Sequence, residues 1–166
     1  MPEPPDSGVE LVVDALASGG DGVGRAPDGR VVFVPGTAPG DRVRVRLVET
    51  RRHFARGELV ELLEPGPDRV EPGCAVFGSC GGCCWQHIRY AAQVAAKETI
   101  VRDALTRIGG LELPVGAPVF VPSPQAYGYR WRTRVQREGD RVGYLRRGSR
   151  ELCAVSTCPI LVPELD

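Results

Sequence analysis

Six cysteines carry the most specific chemistry in this 166-residue chain: Cys74, Cys80, Cys83, Cys84, Cys153 and Cys158. The stretch from Cys74 to His87 reads CAVFGSCGGCCWQH, and Cys158 opens Cys158-Pro159-Ile160-Leu161. A thiolate donates strongly to a soft metal, and such a site needs several thiolates converging on one point. Gly81 and Gly82 remove side chains between two of the cysteines, so the backbone can fold tightly around a bulky group. Spacing leaves two ligand sets open. Cys80-x-x-Cys83 with Cys153 and Cys158 would make a four-cysteine zinc knuckle, leaving Cys74 and Cys84 over. Cys74, Cys80, Cys83 and Cys158 would instead hold a [4Fe–4S] cluster, leaving Cys84 and Cys153. A redox Cys-x-x-Cys pair is the weaker reading, because no βαβ pattern surrounds it. Adjacent Cys83 and Cys84 do not easily face one metal, so one of them stands aside.

The rest of the chain must position these thiols. Its 42% hydrophobic and 25% charged residues describe a folded globular protein. No apolar run approaches the length of a membrane span, and the N-terminal MPEPPDSG has neither the basic nor the apolar segment of a secretory signal. The expected surroundings are therefore cytoplasmic and reducing, where metal ligation outcompetes disulfides. Total charge is uninformative, with 21 basic and 21 acidic residues. Its distribution says more. Arg42, Arg44, Arg46, Arg51, Arg52 and Arg56 face only Asp41 and Glu49 in their stretch, and eight arginines between Tyr129 and Arg150 face only Glu138 and Asp140. Two such excesses in a neutral chain predict basic faces.

Residues 1–8 read as a disordered polar tail. Val9, Leu11 and Val13 then alternate as a half-buried strand, and Arg30 to Val34 forms the next. Gly19 to Gly24 lacks the spacing of a dinucleotide fingerprint and is expected to be a wide connection between strands. From Asp41 to Thr50, Val43, Val45 and Leu47 face one side while Arg42, Arg44 and Arg46 face the other. Arg51, Arg52, His53 and Phe54 add charge and an aromatic ring at the following loop, a combination suited to RNA. Phe54 to Leu63 supplies another strand. Short strands with Gly/Pro turns in under 60 residues predict a small OB-like barrel. One helix is expected from Tyr90 to Ile108, with an apolar stripe packed on a neighbour, a Glu98–Arg102 pair and a stop at Gly109-Gly110. Two further strands are expected near Arg130 to Gln136 and Arg141 to Leu145, the first presenting Arg130, Arg132 and Arg134 in a row, with Tyr129 and Trp131 beside them as core. The class is thus mainly β with one long helix. Its parts are a tail at 1–8, a barrel at 9–66, a cysteine loop and helix at 67–111, and the start of a second β-containing domain at 112–166.

CAVFGSCGGCCWQHIRY followed by AAQVAAKETIVRDALTRIGGL resembles the cluster-binding segment of the bacterial tRNA/rRNA uracil-5-methyltransferase family. VELVVDALASGGDGVGRAPDGRVVFVPGTAPGDRVRVRLVE resembles the N-terminal TRAM domain of those enzymes, and the likeness runs on to CPIL at Cys158. The resemblance implies a [4Fe–4S] cluster on Cys74, Cys80, Cys83 and Cys158. Cys84 replaces a residue that is usually polar there, and Cys153 is not a family ligand. It further implies RNA as partner, either ribosomal or transfer RNA, met by Arg42, Arg44, Arg46, Arg51, Arg52, His53 and Phe54 and by Arg130, Arg132 and Arg134. Family members methylate uracil C5 with S-adenosylmethionine on a C-terminal domain expected to lie beyond Asp166. No catalytic residue is nominated, and the chain alone is expected to be inactive, monomeric and free of membranes. A stand-alone RNA-binding module with a structural metal, or a small electron carrier, are the competing expectations.

Overall fold

The computed structural model describes residues 8–114 and 120–166. The expected tail lies outside them, apart from Gly8. Five strands form a closed barrel: β1 (Val9–Leu16), β2 (Gly22–Arg25), β3 (Val31–Val34), β4 (Arg42–Thr50) and β5 (Phe54–Glu64). Their order around the barrel is β1-β2-β3-β5-β4, every pairing antiparallel except that of β3 with β5. Period-two alternation explains which side chains go inside. Leu11 and Val13 of β1, Val32 and Val34 of β3, Val43 and Val45 of β4, and Ala55 of β5 form the core. Burying aliphatic side chains of this size stabilises by about 1.5–3 kcal/mol each.

The glycine run is not a loop throughout. Gly22 and Gly24 are buried residues of β2, paired with Val34 and Val32. A Cβ at Gly24 would collide with the Val12 carbonyl, and one at Gly22 with the Thr37 hydroxyl. These glycines are there for close approach of strands, and only residues 17–21 connect them to β1.

The helix α1 (Tyr90–Asp103) continues as a π-helical turn over Ala104–Ile108. Gly109 donates to the Ala104 carbonyl, and Gly110, at φ +64°, lets Leu111 reach back to Leu105, which ends the helix as expected. The Glu98–Arg102 pair forms at 3.2 Å. Burial of the apolar stripe does not follow. No helix residue is buried, and Ile108 is 87% exposed.

The chain divides into two compact units, residues 1–70 with 87–119 and residues 71–86 with 120–166. The cysteine loop thus goes with the C-terminal segment and the helix with the barrel, whereas the sequence grouped loop and helix together. In the second unit β6 (Gln136–Glu138), β7 (Arg141–Leu145) and β8 (Leu152–Ala154) form an antiparallel sheet. The strand expected over Arg130 to Gln136 is a correction: only Gln136 joins β6, and Arg130 makes an isolated parallel bridge to Leu161. β8 carries no alternation that marks it in advance.

Candidate functional site

In the barrel unit, the alternation of β4 does put Arg42, Arg44 and Arg46 on the outer face, but neighbouring strands bring carboxylates to each. Arg42 bonds Glu64 on β5 at 2.7 Å and Glu10 on β1 at 3.1 Å. Arg44 bonds Glu10 at 3.0 Å and also Glu61. Arg46 bonds Glu58 at 2.5 Å. The guanidinium groups of Arg44 and Arg42 hold the Glu10 carboxyl below its ordinary value. Exposed pairs like these are worth at most about 1 kcal/mol each. Their larger effect is on the field, because four carboxylates cancel the three-arginine row. Arg51 bonds Glu49 at 2.8 Å, and Arg56 lies 3.5 Å from the same residue. Arg52 has no ion pair among the described residues, and it shares an exposed turn with His53. Phe54, half-buried, packs edge-on to Phe33 at 6.1 Å, and the Arg56 guanidinium sits 6.0 Å from the Phe33 ring.

Inside the same unit, Asp41 is fully buried and holds together three segments. Its carboxylate accepts from the backbone N–H groups of Ala38 at 2.6 Å and Gly66 at 2.8 Å, and from Arg69 at 2.6–3.1 Å. Burial pushes this carboxyl up, but Arg69 and the two N–H groups outweigh it and keep it below the ordinary value. His87, 2% exposed, lies near Arg69, Asp41 and the Thr37 backbone, and burial lowers its pKa.

In the second unit, Cys74, Cys80, Cys83 and Cys158 all line one cavity of about 640 Å³, with Gln86, Arg130, Arg132, Thr133, Arg134 and Tyr144 among its other walls. Cys153 is buried outside it and Cys84 is exposed, and all six cysteines are free thiols. Gly81 lets the loop close on β7: it donates to the Leu145 carbonyl at 2.9 Å, where a Cβ would stand 2.7 Å from that oxygen. Burial raises the thiol pKa of both Cys80 and Cys83, and neighbouring thiols add to the rise. The Gly82 N–H at 3.4 Å relieves Cys80, while Gln86 and the charge of Arg130 relieve Cys83. Among the described residues no three His, Cys, Asp or Glu side chains converge closely enough to hold a single metal ion.

Arg130, Arg132 and Arg134 converge on the cavity although no strand aligns them, and none is ion-paired among the described residues. Trp131 corrects the expectation of a core residue: it is 73% exposed, and Tyr129 is 45% exposed.

Residues 7–60 match the TRAM domain. The chain is 44% identical over 162 residues to an RNA methyltransferase of Thermosynechococcus vestitus, covering 95% of this chain and 36% of that protein. It is 36% identical over 141 residues to the 23S rRNA (uracil(1939)-C(5))-methyltransferase RlmD of Vibrio campbellii, covering 81% and 31%. The chain is thus similar, over nearly all of its own length, to part of proteins named as RNA methyltransferases, one of them a uracil-C5 methyltransferase. The crystal structure of Pyrococcus abyssi tRNA (uracil-54, C5)-methyltransferase with S-adenosyl-L-homocysteine superimposes with a TM-score of 0.59 at 27% identity, over 93% of this chain and 33% of that one. The chain spans about a third of the length of the curated relatives it matches. No helix among the described residues is long and apolar enough to cross a membrane.

Proposed function

We propose that this chain recruits RNA and holds a [4Fe–4S] cluster for an enzyme that methylates uracil C5 in ribosomal or transfer RNA with S-adenosylmethionine, the catalytic domain lying outside these 166 residues. The observation that carries the metal assignment is that Cys74, Cys80, Cys83 and Cys158 line a single cavity while Cys153 does not. Four soft thiolate donors around so roomy a space suit a polynuclear cluster better than one ion. When bound, the cluster supplies a cross-link between the 74–83 loop and the segment at Cys158, which restricts the unfolded chain strongly because the loop it closes is long.

Arg132 and Arg134, unpaired and beside the cavity, are the strongest phosphate contacts, with Arg130 shared between RNA and the thiols whose charge it offsets. In the barrel, Arg52 and His53 meet phosphate while Phe54 and Phe33 offer ring surface to bases. Arg42, Arg44, Arg46 and Arg51 reach RNA only by exchanging a carboxylate for a phosphate, so they contribute less than their number suggests.

Anaerobic reconstitution with iron and sulfide tests the metal reading. A brown protein with about four iron atoms per chain is expected, unchanged in Cys84→Ser and Cys153→Ser and lost in Cys74→Ser and Cys158→Ser. A colourless protein with stoichiometric zinc, retained in Cys74→Ser and lost in Cys153→Ser, refutes it.

A further inference from the structure

Two of the four cavity thiols receive a hydrogen bond from their own loop: Cys80 from the Gly82 N–H and Cys83 from the Gln86 side chain. Cys158 comes about 75 residues after Cys83, and among the described residues no donor from its own segment reaches its sulfur; its backbone N–H is bonded to Asp166. Its sulfur is met by a residue of β7 instead. The Tyr144 hydroxyl lies 3.8 Å from Cys158 Sγ and 2.9 Å from Thr133 Oγ1, and all three side chains line the cavity. A phenol has one proton to give. With that proton on the sulfur, the Thr133 hydroxyl donates to the Tyr144 oxygen, and the three groups form a chain directed at the thiol. The Tyr144 backbone is fixed by pairing with Cys153 of β8.

We propose that Tyr144, oriented by Thr133, is a positioning residue for the cluster ligand Cys158, holding its sulfur toward the cavity and tuning the bound cluster. The inference rests on the [4Fe–4S] reading. A donor to a ligated sulfur draws off negative charge, which favours the more negative, reduced state, and outer groups of this kind commonly govern metal retention.

The test uses the whole chain, reconstituted anaerobically, as wild type, Tyr144→Phe and Thr133→Val. Tyr144→Phe keeps the ring and removes only the hydroxyl. It is expected to lower the cluster's midpoint potential in an optical redox titration and to speed iron loss to a chelator by about 10-fold. Thr133→Val is expected to shift both in the same direction by less, since Tyr144 keeps its proton but loses its support. If Tyr144→Phe fails to fold, Thr133→Val alone decides the matter. A potential and a rate of iron loss equal to wild type in the folded variants overturn the proposal while leaving the cluster assignment standing. A colourless wild type overturns both.

Discussion

Replacing Arg132 and Arg134 together by alanine should halve the salt dependence of RNA binding, whereas replacing Arg44 should leave it nearly unchanged. The difference comes from pairing. Arg132 and Arg134 have no carboxylate partner among the described residues, so a phosphate that binds them displaces only condensed counterions from RNA. Arg44 is already held by Glu10 and Glu61, so RNA gains no charge there that the protein had not neutralised. Counting Arg52, Arg130, Arg132 and Arg134 as open contacts, each adding about 0.7, gives a slope of log K against log salt of about −3 for single-stranded RNA. The double variant should fall to about −1.5. Fluorescence anisotropy of a labelled uridine-containing strand, titrated at a series of salt concentrations, reads this directly. A wild-type slope near −5, with Arg44→Ala removing as much of it as either cavity arginine, would mean that the β4 row binds phosphate after all. The electrostatic argument would then be wrong.

Asp41→Ala should destabilise the barrel unit by about 3–5 kcal/mol, because it strands the half-buried Arg69 guanidinium and two backbone N–H groups. Urea unfolding followed by circular dichroism measures it, and a loss below about 1 kcal/mol would show that the barrel relaxes around the gap. His87 predicts a pH effect of definite sign. Its folded pKa is below the ordinary 6.5 and its ring is buried, so the unfolded chain takes up the proton first. The contribution is complete above about pH 6.5 and declines as pH falls toward the folded pKa. Arg69 and Asp41 are the charges that act on it. Denaturation midpoints from pH 7.5 down to about 5 should therefore fall more steeply in wild type than in His87→Phe, and parallel curves would refute the assignment.

The legible parts of the fold were those governed by local repetition. Val43-Val45-Leu47 alternate strictly with arginines, Val9-Leu11-Val13 alternate with Glu10 and an exposed Val12, and both strands stand where alternation puts them, β4 with its arginines outward. What pairing decides was not legible. That Glu10, Glu58, Glu61 and Glu64 meet the arginines depends on the register of β1 and β5 against β4, including three irregularities in the β4–β5 ladder. Acidic residues on both flanking strands were the available signal. Gly22 and Gly24 looked like a loop because glycine spacing does not distinguish a flexible link from a close approach. The row at Arg130, Arg132 and Arg134 looked like a strand, yet these residues gather through the bridge to Leu161 and the cavity wall. For the thiols, spacing left Cys74 and Cys153 as equals; in the fold Cys74 lines the cavity and Cys153 is a buried residue of β8 whose thiol acts on Cys80.

The distance in sequence between Cys83 and Cys158 has a consequence during synthesis. A ribosome adds about 5–20 residues per second, so Cys74, Cys80 and Cys83 emerge roughly 4–15 s before the thiol that completes their cavity. The barrel strands are finished by then, but Gly81 has no β7 to close against and the three thiols stand open to water, oxidants and stray metal. Under the proposed cluster assignment, all four ligands are present together only after Cys158 has left the exit tunnel.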